Sequence, residues 1–184
     1  MTDLFEVAQQ VQTFAQKNEW SFCFIGGIAV QHWGEPRVTL DVDLTLLTGF
    51  GEEESYIDTL LEEFPGRISN TKEFALLNRV LLLKSSGNVG IDIALGALPF
   101  EEEATLRAKE IEITSDISLQ LCTAEDLLVM KAFANRPRDW VDIESVIKRQ
   151  ESNQLDWEYI VSRLTPLADA KESPEILTRL KQLK

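Results

Sequence analysis

The chain has 184 residues, 44% of them hydrophobic and 27% charged, which suits one ordinary domain, or one domain with a helical extension, around a real core. Its 31 acidic residues against 18 basic ones leave a formal net charge of -13, a surface that repels polyanions and argues against broad nucleic-acid binding. No run approaches the roughly 20 apolar residues of a membrane helix, and the opening MTDLFEVAQQ carries acids where a secretion signal carries bases, so a cytoplasmic protein is expected.

From Asp3 to Lys17 the apolar residues Leu4, Val7, Ala8, Val11, Phe14 and Ala15 recur at helical spacing. SFCFI (21–25) reads as a short buried strand, broken by Gly26 and Gly27; IAVQHWG reads as a short helix closed by Gly34. VTLDVDLTLL (38–47) is expected as a strand, and EEESYIDTLLEEF as an amphipathic helix stopped by Pro65 and Gly66. FALLNRVLLLK is an apolar stretch, SSGN a turn, and VGIDIAL another strand. Pro99 opens a helix through about Arg107, and KEIEITSDISLQL alternates as one or two edge strands. From Thr123 onward every segment reads as helix, with Thr123 and Asp126 resembling a capping box. The order predicts an α+β chain: a small mixed sheet flanked by helices over residues 1–120, and a helical bundle over 121–184 packed on it. Cys23 and Cys122 lie in apolar segments without metal-ligand spacing and read as buried thiols. The acid runs Glu52–Glu54 and Glu101–Glu103 read as helix starts, where carboxylates suit the dipole.

The stretch TLDVDLTLL carries Asp41 and Asp43 on an otherwise apolar strand. Alternation points both to one face, with Cα atoms about 7 Å apart. Two carboxylates that close raise each other's pKa unless a cation neutralises them, and an all-oxygen donor set suits Mg2+ or Mn2+ better than zinc. Asp92, between Ile91 and Ile93, stands in the same kind of position and would complete a triad if its strand lies beside the first. Alternation equally allows all three to face water on an exposed sheet side. If Asp92 were distant from the other two, a non-catalytic binding module would be the better reading.

FIGGIA is a strand, a glycine pair and a helix, a turn that can point backbone N–H groups at an anion, though a glycine pair is also an ordinary tight turn. In RVTLDVD, Arg37 and Thr39 alternate with Asp41 and Asp43, which puts all four on one strand face; the guanidinium there is either an ion-pair partner or a phosphate ligand. Lys131 lies within the apolar stripe of its helix, where it either snorkels or neutralises triphosphate charge at the rim of a cleft. Asp139 and Asp142 share one face of the following helix and could orient Lys131 or an arginine such as Arg136; solvated charge is the plainer reading, above all for Arg138. His32 is the one histidine and reads as a packing or surface residue.

These pieces, in this order, resemble the nucleotidyltransferase superfamily with its polymerase-beta-like fold, and within it the AbiEii/AbiGii toxin-like members. GGIAVQHWGEPRVTLDVDL is similar to the family's glycine turn and R-x-[ST]-x-D-x-D, GIDIALGALPFEEEA to its third-acid strand, and EDLLVMKAFANRPRDWVD to its K-x-x-A-x-x-R-x-x-D element. The resemblance implies a magnesium-dependent transfer of a nucleoside monophosphate from an NTP to a hydroxyl acceptor: a protein, a tRNA end, or a small molecule such as an aminoglycoside or lincosamide. It implies Asp41, Asp43 and Asp92 as metal ligands, with Asp92 helping to activate the acceptor. Gly26 and Gly27, with Arg37 and Thr39, would bind the NTP, and Lys131 its phosphate. A cognate toxin or antitoxin partner belongs to the same implication, as does an antitoxin without catalysis. Ile28 departs from the pattern, since many relatives carry serine or threonine there.

Overall fold

In the computed structural model, which describes residues 4–184, the chain runs α1 Leu4–Lys17, β1 Phe22–Phe24, α2 Gly26–Trp33, β2 Asp41–Leu47, α3 Glu53–Glu63, α4 Thr71–Asn78, β3 Val80–Lys84, β4 Gly90–Gly96, α5 Pro99–Arg107, β5 Lys109–Thr114 and β6 Ile117–Leu121. Four further helices follow: α6 Ala124–Ala134, α7 Pro137–Gln150, α8 Trp157–Ala170 and α9 Glu175–Lys181. The expected start of α1 at Asp3 lies outside the described residues. Among those described, no helix is long and apolar enough to cross a membrane.

Six of the described segments form one mixed sheet in the order β3-β4-β2-β1-β6-β5. β2 and β4 run parallel, β1 and β6 parallel, and the other neighbours antiparallel. Alternation sends Val42, Leu44 and Leu46 of β2, Ile91 and Ile93 of β4, and Leu81 and Leu83 of β3 to one face. All are buried, in a cluster with Val7, Val11 and Ala15 of α1 and Ile57 and Leu60 of α3. The architecture is the α+β class expected, with helices flanking a small mixed sheet and an all-helical C-terminal part.

The chain divides into two compact units, Met1–Ile28 with Val38–Cys122, and Ala29–Arg37 with Thr123–Lys184. The first holds the sheet. In the second, the Thr123 hydroxyl caps α6 by accepting from Asp126 N–H, and Tyr159 Oη donates to the buried Asp126 carboxylate at 2.6 Å.

Two local readings of the sequence need correction and one is made specific. The strand expected from Val38 begins only at Asp41: β1 stops at Phe24, paired with Leu44, and β4 starts at Gly90, paired with Asp41, so residues 38–40 have no ladder neighbour. Val38 and Leu40 are accordingly 77% and 75% exposed. FALLNRVLLLK is a helix end and a strand, switched by Arg79 in the left-handed region at φ 55°. Finally, β6 is no edge strand, because it lies between β1 and β5.

Candidate active site

Asp43 of β2 and Asp92 of β4 are direct register partners on neighbouring parallel strands, and Asp41 pairs with Gly90 one step toward the strand starts. Register partners share a face, so the three acids lie together on the side opposite the apolar core, with about 4.8 Å between the strands that carry them. The sequence expectation that Asp92 joins the acid pair therefore describes the chain, and the separated arrangement does not.

The glycine pair packs on this cluster. Gly26 adopts φ 57°, where L side chains are strained, and a Cβ there would collide with the Asp43 carboxylate. Gly27 N–H donates to Asp43 Oδ2 at 3.3 Å, and a Cβ on Gly27 would strike Thr39 Oγ1. The two glycines are thus the first turn of α2, seated on Asp43 and Thr39, rather than a break ahead of the helix. Thr39 Oγ1 donates weakly to the Asp41 carbonyl at 3.4 Å. Ile28 is fully buried in the core, so the position where the family resemblance implies a hydroxyl serves packing here.

A residue the sequence did not single out completes the cluster. Arg67 spans two of the acids, with Nη2 2.6 Å from Asp92 Oδ1 and Nη1 3.4 Å from Asp41 Oδ1. Burial pushes the Asp92 carboxyl above its ordinary value; Arg67 pulls it down and Asp41 adds to the rise, and the upward effects win. Asp92 Oδ1 is shielded from solvent and receives no well-aligned N–H, although the Arg67 guanidinium lies 2.6 Å away and pulls its carboxyl down. Three carboxylates, one of them with an oxygen lacking a hydrogen bond, are the donor chemistry of a hard divalent ion. Among the described residues no three acid, histidine or cysteine side chains converge closely enough to hold one as they stand. The donors suit such an ion, and the nest is not preformed.

The other residues singled out in the sequence gather in the second unit. Lys131 Nζ lies 2.8 Å from Asp142 and 3.1 Å from Asp139, and Arg37 makes a two-pronged contact with Asp142 at 2.7 and 2.9 Å. Arg136 donates to Asp139 through Nε at 2.9 Å and through its backbone N–H. Burial pushes Asp142 up, but its bonds to Arg37 and Lys131 outweigh that and hold it below the usual carboxylate range. Asp139 and Asp142 do orient Lys131, and Arg37 belongs with them rather than on the β2 face. His32 packs edge-on against Trp33, and burial, aided by Arg149, lowers its pKa. A surface hollow of about 550 Å³ in the first unit lies along α1 between Glu6 and Lys17, away from the chemistry-bearing groups.

A mixed sheet with two acids on one strand, a third on its parallel neighbour and a glycine turn against them is the frame of a nucleotidyltransferase-like fold. Residues 2–178 match the family described as nucleotidyltransferase of unknown function (DUF6036), and the chain belongs to that family. No curated protein matches it in sequence. Among solved structures it is similar to an antigenic nucleotidyltransferase-like protein from Paracoccidioides brasiliensis, at 16% identity and TM-score 0.57, covering 97% of this chain and 92% of that one. It is also similar to the antibiotic-resistance factor ANT(2'')-Ia in solution, at 16% identity and TM-score 0.59, covering 91% and 94% of the two chains. A crystal structure of ANT(2")-Ia in complex with adenylyl-2"-tobramycin matches at 14% identity and TM-score 0.57, covering 92% and 99%.

Proposed function

We propose that the protein is a divalent-metal-dependent nucleotidyltransferase that moves a nucleoside monophosphate from an NTP to a hydroxyl group of a small cationic acceptor. The observation that carries this reading is the pairing of Asp43 with Asp92, with Asp41 beside them and the Gly27 amide on Asp43. Asp41, Asp43 and Asp92 would hold Mg2+ or Mn2+, which supplies charge neutralisation on the phosphate oxygens and on the departing pyrophosphate.

The remaining work falls to the chain. Asp92, level with Asp43 on the neighbouring parallel strand, takes the proton of the acceptor hydroxyl. The acceptor oxygen attacks the α-phosphorus as its bond to pyrophosphate breaks. The side-chain-free turn at Gly26 and Gly27, with Thr39, lets the triphosphate approach the backbone. Lys131, with two of its three donors taken by Asp139 and Asp142, and Arg37 on Asp142 carry the phosphate-binding role that the family resemblance implies. The net charge of -13 favours a cationic acceptor over a polyanion, and ANT(2")-Ia offers a precedent in its adenylyl-tobramycin complex.

A second reading has its own observation. The Arg67 fork across Asp41 and Asp92 suits a family member that binds without catalysing, such as an antitoxin or another component of a toxin-antitoxin pair. Incubation with each α-labelled NTP, Mg2+ and candidate acceptors separates the two. Label on an aminoglycoside-like acceptor, lost in Asp43→Asn, supports the enzyme. No transfer to any acceptor, together with no metal-dependent thermal shift by any NTP, supports the binding module.

A further inference from the structure

Arg67 enters the carboxylate cluster from beyond the sheet. Gly66 bridges to Leu83, and Arg67 N–H donates to the Leu82 carbonyl at 2.9 Å, so its backbone is pinned outside β3. Leu82 is the register partner of Asp92, which aims the Arg67 side chain along the row that holds Asp92 and Asp43. The meeting place is cleared by Gly90, where a Cβ would collide with both Asp41 Oδ1 and Arg67 Nη1. The guanidinium is therefore seated by backbone pairing and by a missing side chain, two features that a chance surface ion pair does not need.

The seat is also one that can be vacated. The Arg67 side chain is 32% exposed, against 48% for Asp41 and 29% for Asp92, so solvent reaches the guanidinium and its 3.4 Å pair with Asp41 is weak. The contact with Asp92 lacks an aligned hydrogen bond. A fixed backbone with a long, loosely held head is suited to moving aside without disturbing the fold. Phosphate offers the released fork a bidentate partner at least as good as a carboxylate.

We propose that Arg67 is the resident counter-cation of the nucleotide-free carboxylate cluster, and that a divalent ion binds Asp41 and Asp92 only by displacing its guanidinium. Arg67 then sets the metal concentration at which the site fills and makes a metal without nucleotide a poor ligand. The inference rests on the metal-dependent reading above. Its test is a titration of the full chain with Mn2+ alone, followed by electron paramagnetic resonance of the unbound ion. Arg67→Gln, and Arg67→Met as a second charge-removing variant should the first fold poorly, bind Mn2+ about tenfold more tightly than wild type, the equivalent of about 1.4 kcal/mol. Arg67→Lys, which keeps the charge and loses the fork, falls between. Equal or weaker Mn2+ binding in the charge-removing variants overturns the inference while leaving the metal-dependent reading in place. No Mn2+ binding by wild type or any variant overturns both.

Discussion

The chain contains two clusters built from the same ingredients, aspartates facing cations, and they differ in how completely each carboxylate is satisfied. Asp139 and Asp142 in the second unit are almost fully buried, and Lys131, Arg37 and Arg136 answer them with aligned hydrogen bonds. Asp41 and Asp92 in the first unit are only partly buried and share one guanidinium, which meets Asp92 without an aligned bond. Burial acts upward on both Asp92 and Asp142, yet only Asp142 has enough partners to end below its ordinary value. A saturated buried network contributes rigidity and a fixed orientation. An unsaturated exposed one retains binding capacity, which is what a site for a metal and a triphosphate requires.

The sharpest way to break this contrast is to compare activity and stability for one aspartate from each cluster. Asp43→Asn keeps an acceptor for Gly27 N–H while removing a charge from the cluster, so transferase activity falls at least about 10³-fold with stability changed by under about 1 kcal/mol. Initial rates with labelled NTP and urea unfolding of the same sample check both halves. Loss of stability as large as the loss of activity would mean that Asp43 is a structural residue like Asp142.

The converse holds in the second unit. Asp142→Asn leaves two cations facing a neutral acceptor in a buried place and lowers unfolding stability by about 3 kcal/mol. Because the native carboxyl is held below its ordinary 3.8, its contribution is fully present above that pH and is lost as pH falls through the native value. The deficit of Asp142→Asn is therefore complete at pH 7 and shrinks in unfolding curves taken below pH 3.8. A deficit that is independent of pH would show that packing, not charge, explains it.

Which parts of this contrast could be read in the sequence follows from how local their causes are. Asp41, Asp43 and Asp92 were legible because each interrupts an alternating apolar strand, and strand period alone puts them on the face away from the core. Thr123 and Pro99 marked helix starts through hydrogen-bonding and φ preferences that act within one turn. Alternation alone puts Arg37 on the wrong element, because RxTxDxD keeps its pattern through residues 37–40, where neither β1 nor β4 extends to pair with it. Arg67 was invisible for a related reason: its place depends on Gly66 pairing with Leu83, a contact made across intervening elements. The one local trace is Gly90, a glycine opening a buried strand where a side chain is usual.

The smallest expected effect is the most telling about the open cluster. Asp92→Asn removes the transferase's proposed base and one metal ligand, so activity is lost, yet the folded protein gains stability at pH 7, by up to about 1 kcal/mol. The sign follows from the raised carboxyl of Asp92: the native state disfavours its charged form, so the contribution of Asp92 to stability is fully present below the ordinary 3.8 and is lost as pH rises through the native value. Asparagine, neutral throughout, escapes this loss. Arg67 keeps Asp41 as a partner, which limits what the substitution removes. Urea unfolding of wild type and Asp92→Asn at pH 3 and pH 7 reads the effect directly, with the gain confined to the higher pH. A destabilised Asp92→Asn at pH 7 would mean that Asp92 and Arg67 form a tight structural pair, and the open cluster would then resemble the closed one.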